Sequence, residues 1–237
     1  MTGLEVLVVG LVTILGATAH GSTGVGLGLV AGPTLAAIDP AFVPGPLMLI
    51  SIIISARHLL SERQNVDRAV VKRLMLGLPI GVGAAVLVLL AIDERMLALG
   101  IGGLVVVMSL LLLSGFHLPR TPITEFAGGA GAAFGSVTAS LPGPPLVMSL
   151  HDLPGEVMRP TVASVASVLS IVTVIALAPI GLFGLTEVGL SALLTPFALL
   201  GLLTARVVRP WLDRRLFRPI ILGIALAGGV SLIIRNL

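Results

Sequence analysis

Apolar residues run along this chain in blocks, with polar positions confined to the short stretches between blocks and to two interruptions inside them. Several blocks reach the roughly 20 residues that a helix needs to cross a bilayer, and none alternates as a membrane barrel strand would. The pattern predicts an all-α, polytopic membrane protein in two homologous halves of four hydrophobic segments each. In the first half, residues 1–114, a long broken segment covers Leu4–Ile38, and helices follow at Phe42–Leu60, Val70–Ile92 and Met96–Leu113. Residues 115–122 are a linker. In the second half, residues 123–237, a broken segment covers Ile123–Leu150, and helices follow at Pro160–Leu182, Thr186–Val208 and Leu216–Ile234. Together they make one transmembrane domain.

Composition sharpens this reading. Of 237 residues 56% are hydrophobic and 11% charged, against about a quarter charged in an ordinary soluble domain, and the mean hydropathy is +1.14. The net charge of +3 does not point to nucleic acid, because the basic residues sit in short loops between apolar blocks, where membrane topology accounts for them. With no cysteine, disulfides, thiolate metal sites and cysteine catalysis are excluded. Residues 1–20 imitate a secretory signal, with Ala17-Thr18-Ala19 as a cleavage site, but Met1–Glu5 lacks the basic start such a signal has. The segment is expected to stay in the protein.

The halves resemble each other at fixed offset. His20-Gly21-Ser22 matches Phe134-Gly135-Ser136, Pro46 matches Pro160, and Pro79 and Pro196 fall inside the third helix of each half. Lys and Arg favour the cytoplasmic side. The basic clusters are Arg57, Arg63, Arg68, Lys72 and Arg73, then Arg206, Arg209, Arg214, Arg215 and Arg218. If Ile123–Leu150 is re-entrant, leaving on the side it entered, both clusters lie inside. By symmetry the first segment is re-entrant too, and the repeats are inverted. The competing reading is eight simple crossings in a parallel repeat, with one cluster outside.

Two interruptions carry the candidate chemistry: ATAHGSTGVGLGLVAGP at Ala17–Pro33 and SVTASLPGPP at Ser136–Pro145. Hydrocarbon offers the backbone no partner, so a break survives only where protein buries it or a cavity receives it. Glycines at 24, 28 and 32, and small residues at 127, 131, 135 and 139, form faces that let helices approach closely. Pro144 and Pro145 can open a half-helix whose N-terminal amides and dipole favour an anion. The candidate substrate-binding residues are His20, Gly21, Ser22, Thr23 and Gly24 in the first break, and Ser136, Thr138, Ser140 and Gly143 in the second. Ser55 and His58 join them from the stripe Ser51, Ser55, His58, and Ser164 from the stripe Ser164, Ser167, Ser170. Each hydroxyl has the alternative of bonding back to its own helix, and His20 of being structural. Arg57 suits snorkelling at a membrane face. Acidic residues stand near segment ends, so no mid-membrane proton relay of carboxylates is visible. No hydrolase, zinc-protease or nucleotide-binding motif occurs, and no enzyme, cofactor or metal site is expected.

With these residues in place, the chain resembles the sulfite exporter TauE/SafE family, also called the toluene sulfonate uptake permease family. The likeness rests on STGVGLGLVAGPTL (Ser22–Leu35), SLPGPPLVMSL (Ser140–Leu150) with RPTVAS (Arg159–Ser164), and the basic loop before LMLGLPIGVGAAV (Leu74–Val86). Leu27 interrupts the usual first glycine string, and Pro142 replaces a glycine in the second. The resemblance implies a multi-pass transporter of the inner (cytoplasmic) membrane for sulfite, sulfoacetate or another organosulfonate.

The expected function is therefore a secondary transporter with alternating access around a midplane site. An anion channel-like pore and a non-transporting membrane scaffold are the alternatives. Expected partners are a small anionic substrate and the lipid bilayer, with a homodimer left open and no nucleic acid.

Overall fold

The computed structural model describes residues 2–23, 26–208 and 214–237, and excludes the side chains of residues 23, 56–63, 208 and 214–218. The described residues are all-helical. In the first half lie α1 (Gly3–Thr23), α2 (Leu27–Ile38), α3 (Gly45–Glu62), α4 (Arg68–Ala91) and α5 (Glu94–Leu113). In the second lie α6 (Pro122–Ala139), α7 (Gly143–Ser149), α8 (Gly155–Leu177), α9 (Leu185–Val208) and α10 (Arg214–Asn236). Among the described residues six helices are long and apolar enough to cross a bilayer, where eight segments were anticipated from the sequence. The two anticipated segments without a counterpart among the six are Phe42–Leu60, where Pro40–Ser55 counts as a shorter apolar helix, and Ile123–Leu150, which is divided into α6 and the seven-residue α7.

Local chemistry sets the ends. Asp67 accepts from the amides of Ala69 and Val70 to start α4, and Asp93 accepts from Met96 to start α5. Thr121 and Thr124 cap α6 reciprocally, with Pro122 in its first turn, where a missing N–H costs nothing. α6 stops at Ser140, which is left-handed at φ 57°, and Leu141 then donates back to the Gly135 carbonyl at 2.8 Å.

At both interruptions the chain turns back on itself. A Cβ built on Gly16 of α1 would meet Ala31 of α2 at 3.2 Å, and one on Gly26 would meet Ala19 at 3.2 Å, so α2 returns along α1. Likewise Gly135 faces Leu141, Gly131 faces Pro145 and Gly128 faces Ser149, so α7 returns along α6. The end of α7 is tied to the linker that precedes α6: Leu118 donates to the Met148 carbonyl at 3.0 Å, and the His117 and His151 rings lie 4.0 Å apart.

The remaining packing is as specific. α4 runs parallel to α6, from the Arg73–Glu125 ion pair through Gly77 and Gly81, which face the α6 backbone at Ala130. Glycines there let the backbones approach closely. α9 runs parallel to α1: Gly10 faces Phe197, Thr18 Oγ1 donates to the Gly201 carbonyl at 3.1 Å, and Gly21 faces Ala205. α10 runs parallel to α2, with Gly228 against Pro33 and Arg235 donating to the Ala37 carbonyl. α3 and α8 are antiparallel, with Met48 by Ser170 at one end and Asp67 bonded to Thr161 at the other. α5 and α10 are antiparallel as well, from Arg95 by Asn236 to Gly102 by Gly229.

Candidate functional site

The tips of the two helical hairpins meet. Gly28, in the first turn of α2, lies so close to the Ser140 backbone that a Cβ there would stand 2.7 Å from the carbonyl carbon and nearer still to the oxygen. Beside this contact a cavity of about 30 Å³ is lined by Gly26–Leu29 of the first hairpin and Ser140–Pro144 of the second. His20, Met48, Ser51, Leu112 and Ser170 complete much of its wall. A water needs roughly 10–15 Å³ on this measure, so the cavity as it stands admits two or three waters and must widen for anything larger.

Donors decide what such a cavity can bind. The amides of Leu27, Gly28 and Leu29 open α2, and an α-helix leaves its first amides without intrahelical partners. Gly26, at φ +130°, occupies the N-cap without a side-chain bond of its own, so no cap competes for them. The Ser51 side chain is 3% exposed, lines the cavity, and makes no hydrogen bond among the described residues. His20, 5% exposed, lies with Nε2 3.4 Å from Ser55 Oγ. No Asp, Glu, Lys or Arg is in the described lining. The arrangement offers neutral donors and a helix dipole to a negative group, with one imidazole beside them.

The residues singled out in the sequence divide into groups. His20, Ser140 and Gly143 line the cavity, and Ser55 stands behind His20. Ser140 donates its hydroxyl to the Pro44 carbonyl at 3.0 Å, which leaves its oxygen only as an acceptor toward the cavity. Ser22 donates to Thr18 O, Thr138 to Phe134 O and Ser164 to Pro160 O, each at 2.8 Å and each within its own helix. Thr138 borders a different space, an apolar groove of about 300 Å³ between α4, α5 and α6. Gly21 packs on α9 through Ala205. Ser136 is fully buried against Thr173 Oγ1 at 2.8 Å and Met48 Sδ at 3.2 Å. The Thr23 and His58 side chains, and Gly24, lie outside the described residues.

The half-helix at Gly143 is present, but Pro144 and Pro145 in its first turn carry no amide hydrogen, so it offers fewer donors than its spacing suggests. The proline-free start of α2 is the richer amide end. Its signal in the sequence was the lack of proline at residues 26–29. Ser51, present in the stripe with Ser55, is the hydroxyl whose hydrogen remains uncommitted.

A second cluster lies apart from the cavity. Glu125, 2% exposed at its side chain, is held by Arg73 and by Arg120 at 3.3 Å, which ties α4 and the linker to α6. Among the described residues no group of three His, Asp or Glu could hold a metal ion.

One family model, described as Sulfite exporter TauE/SafE, matches residues 9–232. No curated protein and no solved structure matches the chain.

Proposed function

The chain belongs to the sulfite exporter TauE/SafE family of membrane transporters, and from that premise we propose that it moves a sulfur oxyanion, sulfite or a small organosulfonate, by alternating access around the cavity between the hairpin tips. The observation that carries this reading is the meeting of Gly28 and Ser140 beside buried donors, with no fixed charge in the described lining. An anion with three equivalent oxygens suits several neutral donors at a helix N-terminus. Because the cavity holds only two or three waters, the hairpins are read as separating to admit substrate.

We read the halves as inverted repeats with re-entrant first segments. A two-fold axis in the membrane plane would exchange α1 with α6, α2 with α7, α3 with α8, α4 with α9 and α5 with α10. That operation turns the parallel α1–α9 pair into the parallel α6–α4 pair, and it makes α3 oppose α8 and α5 oppose α10, as their contacts do. The linker tied to the end of α7 supports a hairpin that leaves where it entered. By chain position, every Lys and Arg among the described residues except Arg95 and Arg235 then belongs to the end where α4 and α6 start. On the positive-inside rule that end is cytoplasmic, and the inner membrane is the location the family resemblance implies.

The test is counterflow in proteoliposomes with labelled sulfite and methanesulfonate, using acetate as comparator. Saturable exchange of a sulfur anion, stimulated from the opposite side, is expected. Flux that never saturates would favour a pore, and no flux with any sulfur anion would leave a scaffold.

A further inference from the structure

A transported anion brings a charge into the middle of a membrane, and uncompensated charge there costs several kcal/mol. If the cavity is the anion site, as proposed above, its described lining supplies one group able to compensate: His20, buried with Nε2 facing Ser55. Other titratable groups on the elements around His20 are few. α2 has none. On α9, Arg206 follows Ala205, which packs on Gly21, but the Arg206 side chain is exposed, and Glu187 stands in the first turn at the far end. On α1 itself Glu5 is in the opposite terminal turn. On α3, Arg57 and His58 follow Ser55 in sequence, with side chains outside the described residues.

The charge states can be enumerated. Counted over the described lining, neutral imidazole without an anion gives zero charge, and imidazolium with a monoanion again gives zero. The two half-loaded states carry one net charge and are disfavoured in a low-dielectric centre. Only the empty and the doubly loaded forms then change access readily.

We propose that His20 is the proton-carrying residue that couples anion movement to proton movement, one proton accompanying each monoanion in the same direction. The proton is taken onto an imidazole nitrogen on the side where the anion enters, and it is released with the anion on the other side. No bond other than N–H forms or breaks, and no net charge crosses. By linkage, bound anion raises the proton affinity of His20 by the same factor that the proton raises anion affinity.

The experiment uses the full chain in proteoliposomes with the membrane potential clamped, and labelled methanesulfonate, which stays a monoanion throughout the working pH range. A lumen one pH unit more alkaline than outside should drive accumulation approaching about tenfold, the ratio one coupled proton supplies. His20→Gln should lose this accumulation, and because its anion-loaded site keeps a net charge, its counterflow at equal pH should fall as well, with proton uptake on adding methanesulfonate lost. Wild-type counterflow without pH-driven accumulation would overturn the coupling while leaving the transport reading intact, as would accumulation by His20→Gln equal to wild type. Absence of wild-type counterflow would overturn the transport reading and the coupling with it. Should the variant fail to fold, proton uptake by purified wild type on adding methanesulfonate decides: up to one proton per bound anion is expected, and none refutes the proposal.

Discussion

Gly28→Ala is the sharpest perturbation the fold offers, because the added methyl meets backbone. It would stand 2.7 Å from the Ser140 carbonyl carbon and 3.0 Å from the Ser140 Cβ, with the carbonyl oxygen nearer still. Ordinary contact is roughly 3.4–4 Å, so α2 and the tip of the second hairpin must separate by about 1 Å, and no rotamer change can relieve a clash with backbone. In an open helix the same substitution gains about 0.8–1 kcal/mol from helix propensity. Overpacking costs about 1–3 kcal/mol, and a clash with backbone belongs at the upper end of that range, so the net effect is a loss of about 2 kcal/mol at the junction. At about 2–4 degrees per kcal/mol for a chain of this size, melting should fall by about 4–8 °C. Gly83→Ala is the control: it is in the middle of α4 with nothing within 4 Å of its Cβ, and it should melt at or above wild type. Thermal unfolding of the three purified proteins in one detergent makes the comparison, and counterflow in proteoliposomes should fall at least tenfold for Gly28→Ala alone. If Gly28→Ala melts with Gly83→Ala and transports normally, the hairpin tips do not meet in the working protein.

Other consequences follow from the same geometry. Ser51→Ala removes the uncommitted hydroxyl from the cavity and should weaken apparent anion affinity about tenfold or more, since a hydrogen bond to a charged group contributes about 1.5–3 kcal/mol. Ser22→Ala and Ser164→Ala, whose hydroxyls bond within their own helices, should leave affinity within about twofold, because back-bonding contributes little to stability or recognition. Saturation curves for the three variants decide this, and equal losses in all three would refute the donor assignment. Arg73→Met leaves the buried Glu125 carboxylate with Arg120 alone, whereas Glu125→Gln leaves two cations, each a third exposed, that can reach water. Melting should therefore fall further for Arg73→Met, because an uncompensated buried charge costs more than an exposed one; the reverse order would contradict the burial argument. Single cysteines at Phe116 and Asp152, placed in a chain that has none of its own, should label from the same side of the membrane with an impermeant maleimide. Labelling from opposite sides would exclude a re-entrant α6–α7 segment.

Ser140 and Thr138 show how far one-dimensional reasoning reaches. Both are hydroxyls beside the second interruption, two residues apart, and the sequence treats them alike. In the fold Thr138 is still within α6, donates to Phe134 and borders the apolar groove, while Ser140 has left the helix and touches both the cavity and Gly28. Ser51 and Ser55 reverse the lesson. Both belong to one stripe, yet Ser55 is engaged with His20 and Ser51 faces the cavity uncommitted. A helical repeat fixes which residues share a face, but not which neighbour arrives opposite that face.

What the sequence by itself determined is the solvent and the secondary structure. Long apolar blocks in a chain with 11% charge can satisfy their backbone in hydrocarbon only as helices, and the family resemblance rests on strings readable in one dimension. What the tertiary structure decided is which donors remain for a ligand. That Gly28 abuts Ser140, that α2 rather than the proline-bearing α7 presents the amide-rich end, and that Glu125 is held by arginines from α4 and the linker depend on helices far apart in sequence. A hydrogen-bond donor is spent or spare only relative to its neighbours, and those neighbours are set by packing rather than by local spacing.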